Sequence, residues 1–143
     1  MKPSVIRLTK RRLATNHEPS GVDELRAELA RKIATHAPTA GEHATSVPGL
    51  TLYRRTSTTP CYPATYEPSF NVFVQGQKRI TLGGTTYLCD GSTFLLSSLD
   101  LPVVSQIIEA SEEVPLLSTL LKLDMAAVRE ILSHAEFQKV NGS

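Results

Sequence analysis

The stretch YEPSFNVFVQGQKRITLGGTTYLCDGSTFLLSS, Tyr66 to Ser98, decides the fold of this chain of 143 residues. Three turn signals divide it, at Gly76-Gln77, Gly83-Gly84 and Asp90-Gly91. The runs between them are rich in Phe, Val, Ile, Thr and Tyr, which favour strands. Gly83-Gly84 suits a type I′ turn, whose two central positions both need positive φ. The stretch is therefore predicted to fold back and forth as a sheet.

The same pattern extends on both sides of this stretch, over residues 49–124. Several short strands with turns between them, at a spacing of roughly 8–12 residues, favour a sandwich or barrel over a βαβ sheet. Seven strands are predicted, at about 49–56, 70–75, 78–82, 85–89, 93–98, 103–109 and 116–123.

A helix is predicted on each side of this β barrel. In residues 20–37, apolar side chains recur at helical spacing after Ser20, which begins a variant of the capping box. Residues 125–139 show the same spacing after Asp124, the predicted N-cap. The two apolar stripes are Val22, Leu25, Leu29 and Ile33, and Met125, Val128, Leu132 and Ala135. Residues 1–19 lack periodicity and are predicted to form a flexible arm, which leaves one domain over residues 20–143.

Bulk composition is that of an ordinary globular protein, with 41% hydrophobic and 20% charged residues. No apolar run is long enough to span a membrane, and no apolar segment follows the basic N-terminus as it would in a secretory signal. A cytoplasmic protein is expected, with Cys61 and Cys89 as free thiols. Residues 44–124 have a net charge of −2, so the barrel lacks the basic surface typical of a nucleic-acid-binding module.

The histidines argue against the metal centre that many small β barrels contain. Such a centre needs two or three imidazoles and a carboxylate that converge inside the barrel. The four histidines, His17, His36, His43 and His134, all lie outside residues 49–124. We therefore expect neither a metal ion nor another cofactor.

Catalytic motifs are also missing from the sequence. No G-x-S-x-G elbow or phosphate-binding loop occurs, so no catalytic residue is assigned. Cys89 is interpreted as a small, half-buried hydrophobic residue. The segment Gln77-Lys78-Arg79, next to a hairpin turn, is interpreted as a solubilising device at a sheet edge, with an anion contact as the less favoured alternative.

Aromatic residues concentrate in the predicted barrel, where seven of the eight lie between Tyr53 and Phe94. A tyrosine suits a ligand pocket because it combines an apolar ring with a hydrogen-bonding tip. Tyr53, Tyr62, Tyr66 and Tyr87 are candidates for a pocket mouth. The alternative is that each belongs to the outer layer of the core.

Strand alternation predicts which side chains face the interior. Phe70, Val72 and Val74 are predicted to point inward, and Gln106 and Thr119 are predicted to interrupt inward-facing apolar rows as polar groups. In the opposite register, these two side chains face solvent instead. Tyr53, Arg54 and Tyr66 are predicted to close the open end and to select a carboxylate or other polar head group. The predicted ligand-binding residues are Tyr53, Arg54, Tyr66, Val72, Val74, Tyr87, Gln106 and Thr119.

Several segments together resemble the N-terminal, effector-binding domain of AraC-type bacterial transcriptional regulators. They are YEPS, the QGQKR turn, LDLPV after a serine-containing strand, and the L-D-M-x-x-V pattern that opens the last helix. The resemblance covers about residues 20–135. It implies a mainly β, cupin-like double-stranded β-helix, or jelly-roll barrel, with flanking N- and C-terminal α-helices.

The resemblance also implies a function. Such a domain binds a small-molecule effector without a metal ion and helps to form a homodimer. In that family, helix-turn-helix motifs follow the sensor domain, and no such motifs precede Ser143 in this chain. DNA contact is therefore expected only through a helix-turn-helix domain that this chain does not contain.

Two other functions stay open at the level of sequence. One is a small cupin-type enzyme, such as an isomerase or epimerase, which needs an acid/base pair in the barrel. Tyr87 and Glu109 are the best candidates for that pair. The other is a purely structural dimerisation module whose barrel is filled by side chains.

Overall fold

The structure is a computed structural model that describes residues 6–10 and 21–141, with side chains described over residues 21–135. These residues contain ten strands and two helices. The elements are β1 (Ile6–Lys10), α1 (Gly21–His36), β2 (Gly41–Ala44), β3 (Leu50–Arg55), β4 (Tyr62–Tyr66), β5 (Ser69–Gln75), β6 (Gln77–Leu82), β7 (Thr85–Cys89), β8 (Thr93–Ser97), β9 (Leu101–Glu109), β10 (Leu116–Lys122) and α2 (Met125–Asn141).

The strand pairing defines a jelly roll. One sheet has the order β1-β8-β5-β10-β3-β2 and the other the order β4-β9-β6-β7. From the centre of the chain outward, β6 pairs with β7, β5 with β8, β4 with β9 and β3 with β10, always antiparallel. Successive pairs fall in alternate sheets, so one two-stranded ribbon winds through both sheets as a double-stranded β-helix. The predicted fold class, a mainly β barrel with flanking helices, is confirmed.

The seven predicted strands correspond to β3 and to β5 through β10. The sequence did not predict β1, β2 and β4. All three lie at the edge of a sheet, where a strand pairs on one side only and its side-chain pattern is weakly constrained. β4 even contains Pro63, which an edge strand tolerates because one side of its backbone needs no ladder hydrogen bond.

The predicted flexible arm is wrong for residues 6–10. These residues form β1, which pairs with β8 from Ile6 opposite Ser97 to Lys10 opposite Thr93. Added as an outer strand, this segment satisfies backbone groups that β8 would otherwise present at a sheet edge. The rest of the predicted arm lies outside the described residues.

The β6–β7 hairpin has the predicted two-residue loop, because Leu82 pairs with Thr85. Its turn type differs from the prediction. Only Gly83 has a positive φ, of 59°. A type II′ turn needs positive φ at its first central position alone, whereas a type I′ turn needs it at both. The loop therefore matches the type II′ pattern.

The six-stranded sheet is covered on both faces. Helix α1 packs on its outer face and buries an outer cluster that contains Ile33, Ala37, Leu52, Val74 and Leu117. The inner face contributes to a second cluster between the two sheets. This inner cluster consists of Tyr66, Phe73, Ile80, Cys89, Leu95, Leu101 and Val103. An apolar residue in this sheet therefore finds a buried environment on either side.

Because both faces are buried, the predicted register of β5 is wrong. Val72 and Val74 belong to the outer cluster against α1, whereas Phe73 belongs to the inner cluster. Asn71 lies on the same inner face as Phe73. The alternation of side chains was predicted correctly, but the face that looks into the barrel was not. A shift of one residue in the assignment exchanges the two faces.

The predicted inward positions of Gln106 and Thr119 are wrong in the same way. Ser105 and Ile107 are the buried residues of that part of β9, whereas Gln106 accepts a hydrogen bond from Arg79 at 3.3 Å in an exposed position. Thr119 lies on the α1 side of β10, in a groove lined also by residues of α1 and β3.

No helix among the described residues is long and apolar enough to cross a lipid bilayer.

Candidate ligand-binding cavity

A cavity of about 310 Å³ lies between the two sheets of the barrel. Both sheets contribute to its wall, so it occupies the interior of the jelly roll. Its lining consists of Tyr53, Arg55, Tyr62, Ala64, Thr65, Tyr66, Glu67, Ser69, Asn71, Phe73, Lys78, Ile107, Leu116, Ser118, Leu120 and Lys122. The barrel is therefore not filled by its own side chains.

The period of two along each strand selects these residues. β3 contributes Tyr53 and Arg55, and β10 contributes the even-numbered series that includes Leu116, Ser118 and Leu120. The residues between them face α1 or solvent. The pairing of β10 with β5 contains a β-bulge between Leu117 and Ser118, where the register of the two strands shifts.

Small and polar side chains explain why the cavity lies at this end of the barrel. Where the inner cluster fills the other end, the inward positions carry Ile80, Leu95 and Val103. At the cavity, the corresponding positions of β5 and β10 carry Ser69, Asn71 and Ser118, and these residues are buried. Short side chains at neighbouring inward positions leave the space unfilled.

Lys78 is the central charged group of the cavity. It lies on β6 two residues before the fully buried Ile80, so the strand directs it into the barrel. Its Nζ atom lies 5.5 Å from the ring centre of Tyr66 and 6.0 Å from that of Tyr62. Both contacts are cation–π interactions.

The pKa of Lys78 is raised above its ordinary value by two opposed causes. Burial is the largest single cause and lowers this pKa, because an ammonium loses solvation. Coulombic and hydrogen-bonding interactions with Tyr66 and Tyr62 together outweigh burial. Lys78 is therefore a protonated, positively charged group at neutral pH.

Other charges at the cavity are already engaged. Lys122 and Glu67 form an ion pair of 2.8 Å between exposed side chains. The guanidinium of Arg55 lies 5.5 Å from the ring centre of Tyr53. Burial, followed by the charge of Glu42, raises the pKa of the Tyr53 phenol, so this group is a neutral hydrogen-bond donor.

Two polar side chains of the wall have bonding capacity left. Ser118 is 7% exposed, and its hydroxyl forms no hydrogen bond within the described part of the chain. Asn71 Nδ2 donates to Ser69 Oγ at 3.0 Å, and Ser69 Oγ donates to the carbonyl of Glu67 at 2.8 Å. The Asn71 carbonyl oxygen is thus free to accept a hydrogen bond.

Neither cysteine is placed for nucleophilic chemistry. Burial raises the pKa of the Cys89 thiol to about 12, with a smaller raising effect from Asp90 and an opposing effect from Lys78. A thiol with this pKa is almost fully protonated at neutral pH and is a poor nucleophile. Cys61 is exposed outside the cavity, with its Sγ atom 3.5 Å from Gln106 Oε1.

Of the predicted ligand-binding residues, Tyr53 and Tyr66 line the cavity. Arg54 instead donates a hydrogen bond from Nη1 to the carbonyl of Ala37 at 3.2 Å, at the end of α1. The neighbouring residue, Arg55, lines the cavity instead. The remaining predicted residues, Val72, Val74, Tyr87, Gln106 and Thr119, are not part of the cavity wall.

The acid/base pair considered for an enzyme is not assembled. Tyr87 pairs with Ile80, which in turn pairs with Ser105 on β9. Glu109 lies four residues further along that strand, a separation of roughly 13 Å at the usual rise per residue. Neither Tyr87 nor Glu109 lines the cavity.

Sequence reasoning missed Lys78, Arg55, Asn71 and Ser118 as cavity residues. Lys78 was interpreted, together with Gln77 and Arg79, as part of a solubilising device at a sheet edge next to a turn. The period of two in Lys78-Arg79-Ile80 could have identified Lys78 as an inward-facing residue. A lysine two residues from an apolar strand centre faces the same side as that centre.

No group of three or more His, Cys, Asp or Glu side chains that could hold a metal ion occurs in the part of the chain that the structure describes. The prediction of a metal-free site stays a prediction.

The fold and the cavity define the class of this protein: a jelly-roll domain that is hollow at one end and is lined there by tyrosines and a half-buried cation. The family described as AraC-type transcriptional regulator N-terminus matches residues 46–142. The chain belongs to this family, and it is a regulatory domain.

The search of curated proteins found no match. Among solved structures, the chain is similar to the Schizosaccharomyces pombe Cnp3 cupin domain, with a TM-score of 0.36 and 14% sequence identity over 63% of this chain and 68% of that one.

Proposed function

We propose that this chain is the ligand-sensing and dimerisation domain of an AraC-type transcriptional regulator, and that a small-molecule effector binds in the cavity. The observation that carries the proposal is the hollow interior itself, whose wall contains the half-buried ammonium of Lys78 and the hydroxyl of Ser118. Polar groups that line a cavity need hydrogen-bond partners, which water or a ligand can supply. A bound effector would provide such partners.

The size of the cavity supports a small effector. About 310 Å³ corresponds to roughly ten water molecules in the liquid. This volume lies at the lower end of the range of about 300–1,000 Å³ that is usual for ligand sites. The effector should therefore be a compact metabolite and not a peptide or a long lipid.

The same cavity gives no support to catalysis. Its wall has no His or Cys, and its one acidic residue, Glu67, is held by Lys122. A binding function needs only the tyrosines, the cation and the hydroxyl that are present. We therefore propose that the domain binds its effector without converting it, and that DNA recognition belongs to a helix-turn-helix domain of the whole regulator.

Filling the cavity tests this proposal. Thermal shifts would be measured with a library of small acids, alcohols and sugars, for the wild type and for Ser118→Phe. Thr119→Phe is the matched control, because it adds the same ring on the same strand but on the α1 side. A compound present at 100 times its Kd should stabilise the wild type and the control by about 2.7 kcal/mol, and should not stabilise Ser118→Phe. If the bound compounds stabilise Ser118→Phe equally, the cavity is not the sensing site.

The dimerisation part of the proposal rests on α2. None of its residues from Met125 to Ala135 is buried, and the neighbouring Ile131 and Leu132 are 67% and 57% exposed. We propose that a second copy of the chain covers this helix. Residues 125–143 carry two basic and two acidic residues, so two copies of the segment do not repel each other through net charge.

A further inference from the structure

We propose that the effector is a monocarboxylate with a compact apolar body, and that its carboxylate binds at Lys78 with Arg55 as a second cation. This inference rests on the proposed function, because it assigns a chemical class to the occupant of the same cavity. It follows from the charges of the cavity wall, from its hydrogen-bond donors and from the position of its apolar residues.

Lys78 has no anionic partner among the residues that the structure describes. The three ion pairs of the described residues are Arg26 with Asp23, Lys32 with Glu28, and Lys122 with Glu67. Lys78 belongs to none of them, although it lies in the interior of the barrel. A charge that loses part of its hydration is normally paired, because that loss is otherwise uncompensated. The rings of Tyr62 and Tyr66 contact the ammonium, with their centres 6.0 Å and 5.5 Å from Nζ.

The charges of the cavity wall suit an anionic ligand. Lys78 and Arg55 are the two cations of the wall outside the Lys122–Glu67 ion pair, so the wall favours an anionic group over a neutral one. Arg55 lies at the same cavity with its guanidinium against the Tyr53 ring, where it would help to attract the anion. The carboxylate of Glu67 would repel an anion, but Lys122 neutralises it at 2.8 Å.

The cavity wall combines hydrogen-bond donors with an apolar part. A carboxylate accepts several hydrogen bonds, and the phenol hydroxyls and the hydroxyl of Ser118 are donors on the cavity wall. Phe73, Ile107, Leu116 and Leu120 form an apolar part of the same wall. A ligand with one charged end and one apolar body satisfies both parts.

Matched pairs of probes test the inference. Benzoate and octanoate would be compared with benzamide and octanamide, at constant ionic strength, by titration calorimetry on the wild type, Lys78→Met and Arg79→Met. Arg79 is the control cation, because it lies next to Lys78 on β6 but is exposed and bonded to Gln106. We expect one carboxylate to bind the wild type at least about tenfold more tightly than its amide. We expect Lys78→Met to lose that difference and Arg79→Met to keep it.

Three outcomes would overturn the inference. The first is that neither carboxylate binds better than its amide, and the second is that Lys78→Met binds the carboxylate as tightly as the wild type. The third is that phenyl phosphate binds more tightly than benzoate through Lys78, which would assign a phosphate in place of the carboxylate. If neutral compounds bind and Ser118→Phe abolishes their binding, the sensing function stands and only the anionic class fails. If compounds bind regardless of Ser118→Phe, the sensing site itself is wrong.

Discussion

At Gly76, between β5 and β6, the backbone has a φ of +80°. A Cβ atom at this position would lie 2.7 Å from Leu116 Cα and 2.8 Å from the carbonyl oxygen of Glu109. Both neighbours are backbone atoms of paired strands, so they have little freedom to move. Gly76 therefore has two separate reasons to be glycine, the left-handed conformation and the close approach of β9 and β10.

We expect Gly76→Ala to lower the free energy of unfolding by about 2–5 kcal/mol, since backbone strain and overpacking add. Gly83→Ala is the matched control. Gly83 also has a positive φ, of 59°, but a Cβ there meets nothing within 4 Å. It should cost only about 1–2 kcal/mol. Urea unfolding of the three proteins measures both values, and equal losses would show that steric contact at Gly76 is unimportant.

Lys78 shows what local sequence context conceals at the level of a residue. Its charge and its place next to a turn favour an exposed position, and Arg79 does occupy one. Lys78 faces inward because it lies two residues from the buried Ile80, on the same side of the strand. A charged side chain at an inward position departs from the usual pattern, and such departures are expected at functional sites.

At the level of the element, α1 shows that a predicted apolar stripe is not a buried one. Ile33 is 2% exposed in the outer cluster, whereas Leu25 on the same predicted stripe is 65% exposed. The C-terminal half of α1 packs on β3, β5 and β10, and the N-terminal half covers the sheet less closely. Helical periodicity identifies the stripe, but the docking angle on the sheet decides which part of it is covered.

Ile33→Ala should lower the free energy of unfolding by about 2–4 kcal/mol, because it leaves a void between α1 and the sheet. Leu25→Ala, the control on the same helix, should change it by no more than about 0.5 kcal/mol. Chemical denaturation monitored by circular dichroism measures both values. A large loss for Leu25→Ala would show that another part of the chain or a second copy covers the N-terminal half of α1.

At the level of the whole molecule, the exposed face of α2 predicts self-association. Leu132→Glu should convert a dimer to a monomer, because it places a carboxylate in the proposed apolar interface. Ser133→Glu adds the same charge at the next position, about 100° further around the helix, and should leave the dimer intact. Light scattering with size-exclusion chromatography distinguishes the two states. If the dimer persists in Leu132→Glu, the interface is formed instead by the exposed stripe of α1, which includes Val22 and Leu25.

The sequence by itself determined the class of fold, the seven strands that carry a clear period of two, and the two helices. It also predicted the family, through motifs such as YEPS and LDLPV. Local patterns suffice for these features, because turns, strands and helices are set by residues that are close in the chain. Strands at sheet edges were missed, since edge pairing leaves little mark on the side-chain pattern.

Only the tertiary structure decided which face of each strand looks into the barrel. In β5 and β10 both faces are buried, one by α1 and the other by the opposite sheet. An apolar residue such as Val74 or Phe73 is therefore buried whichever face it occupies. For the same reason, Arg54 and Thr119 were predicted at the cavity, where the structure places Arg55 and Ser118. The period of two along a strand specifies that neighbours point apart, and only the packing of helix and sheet specifies in which direction.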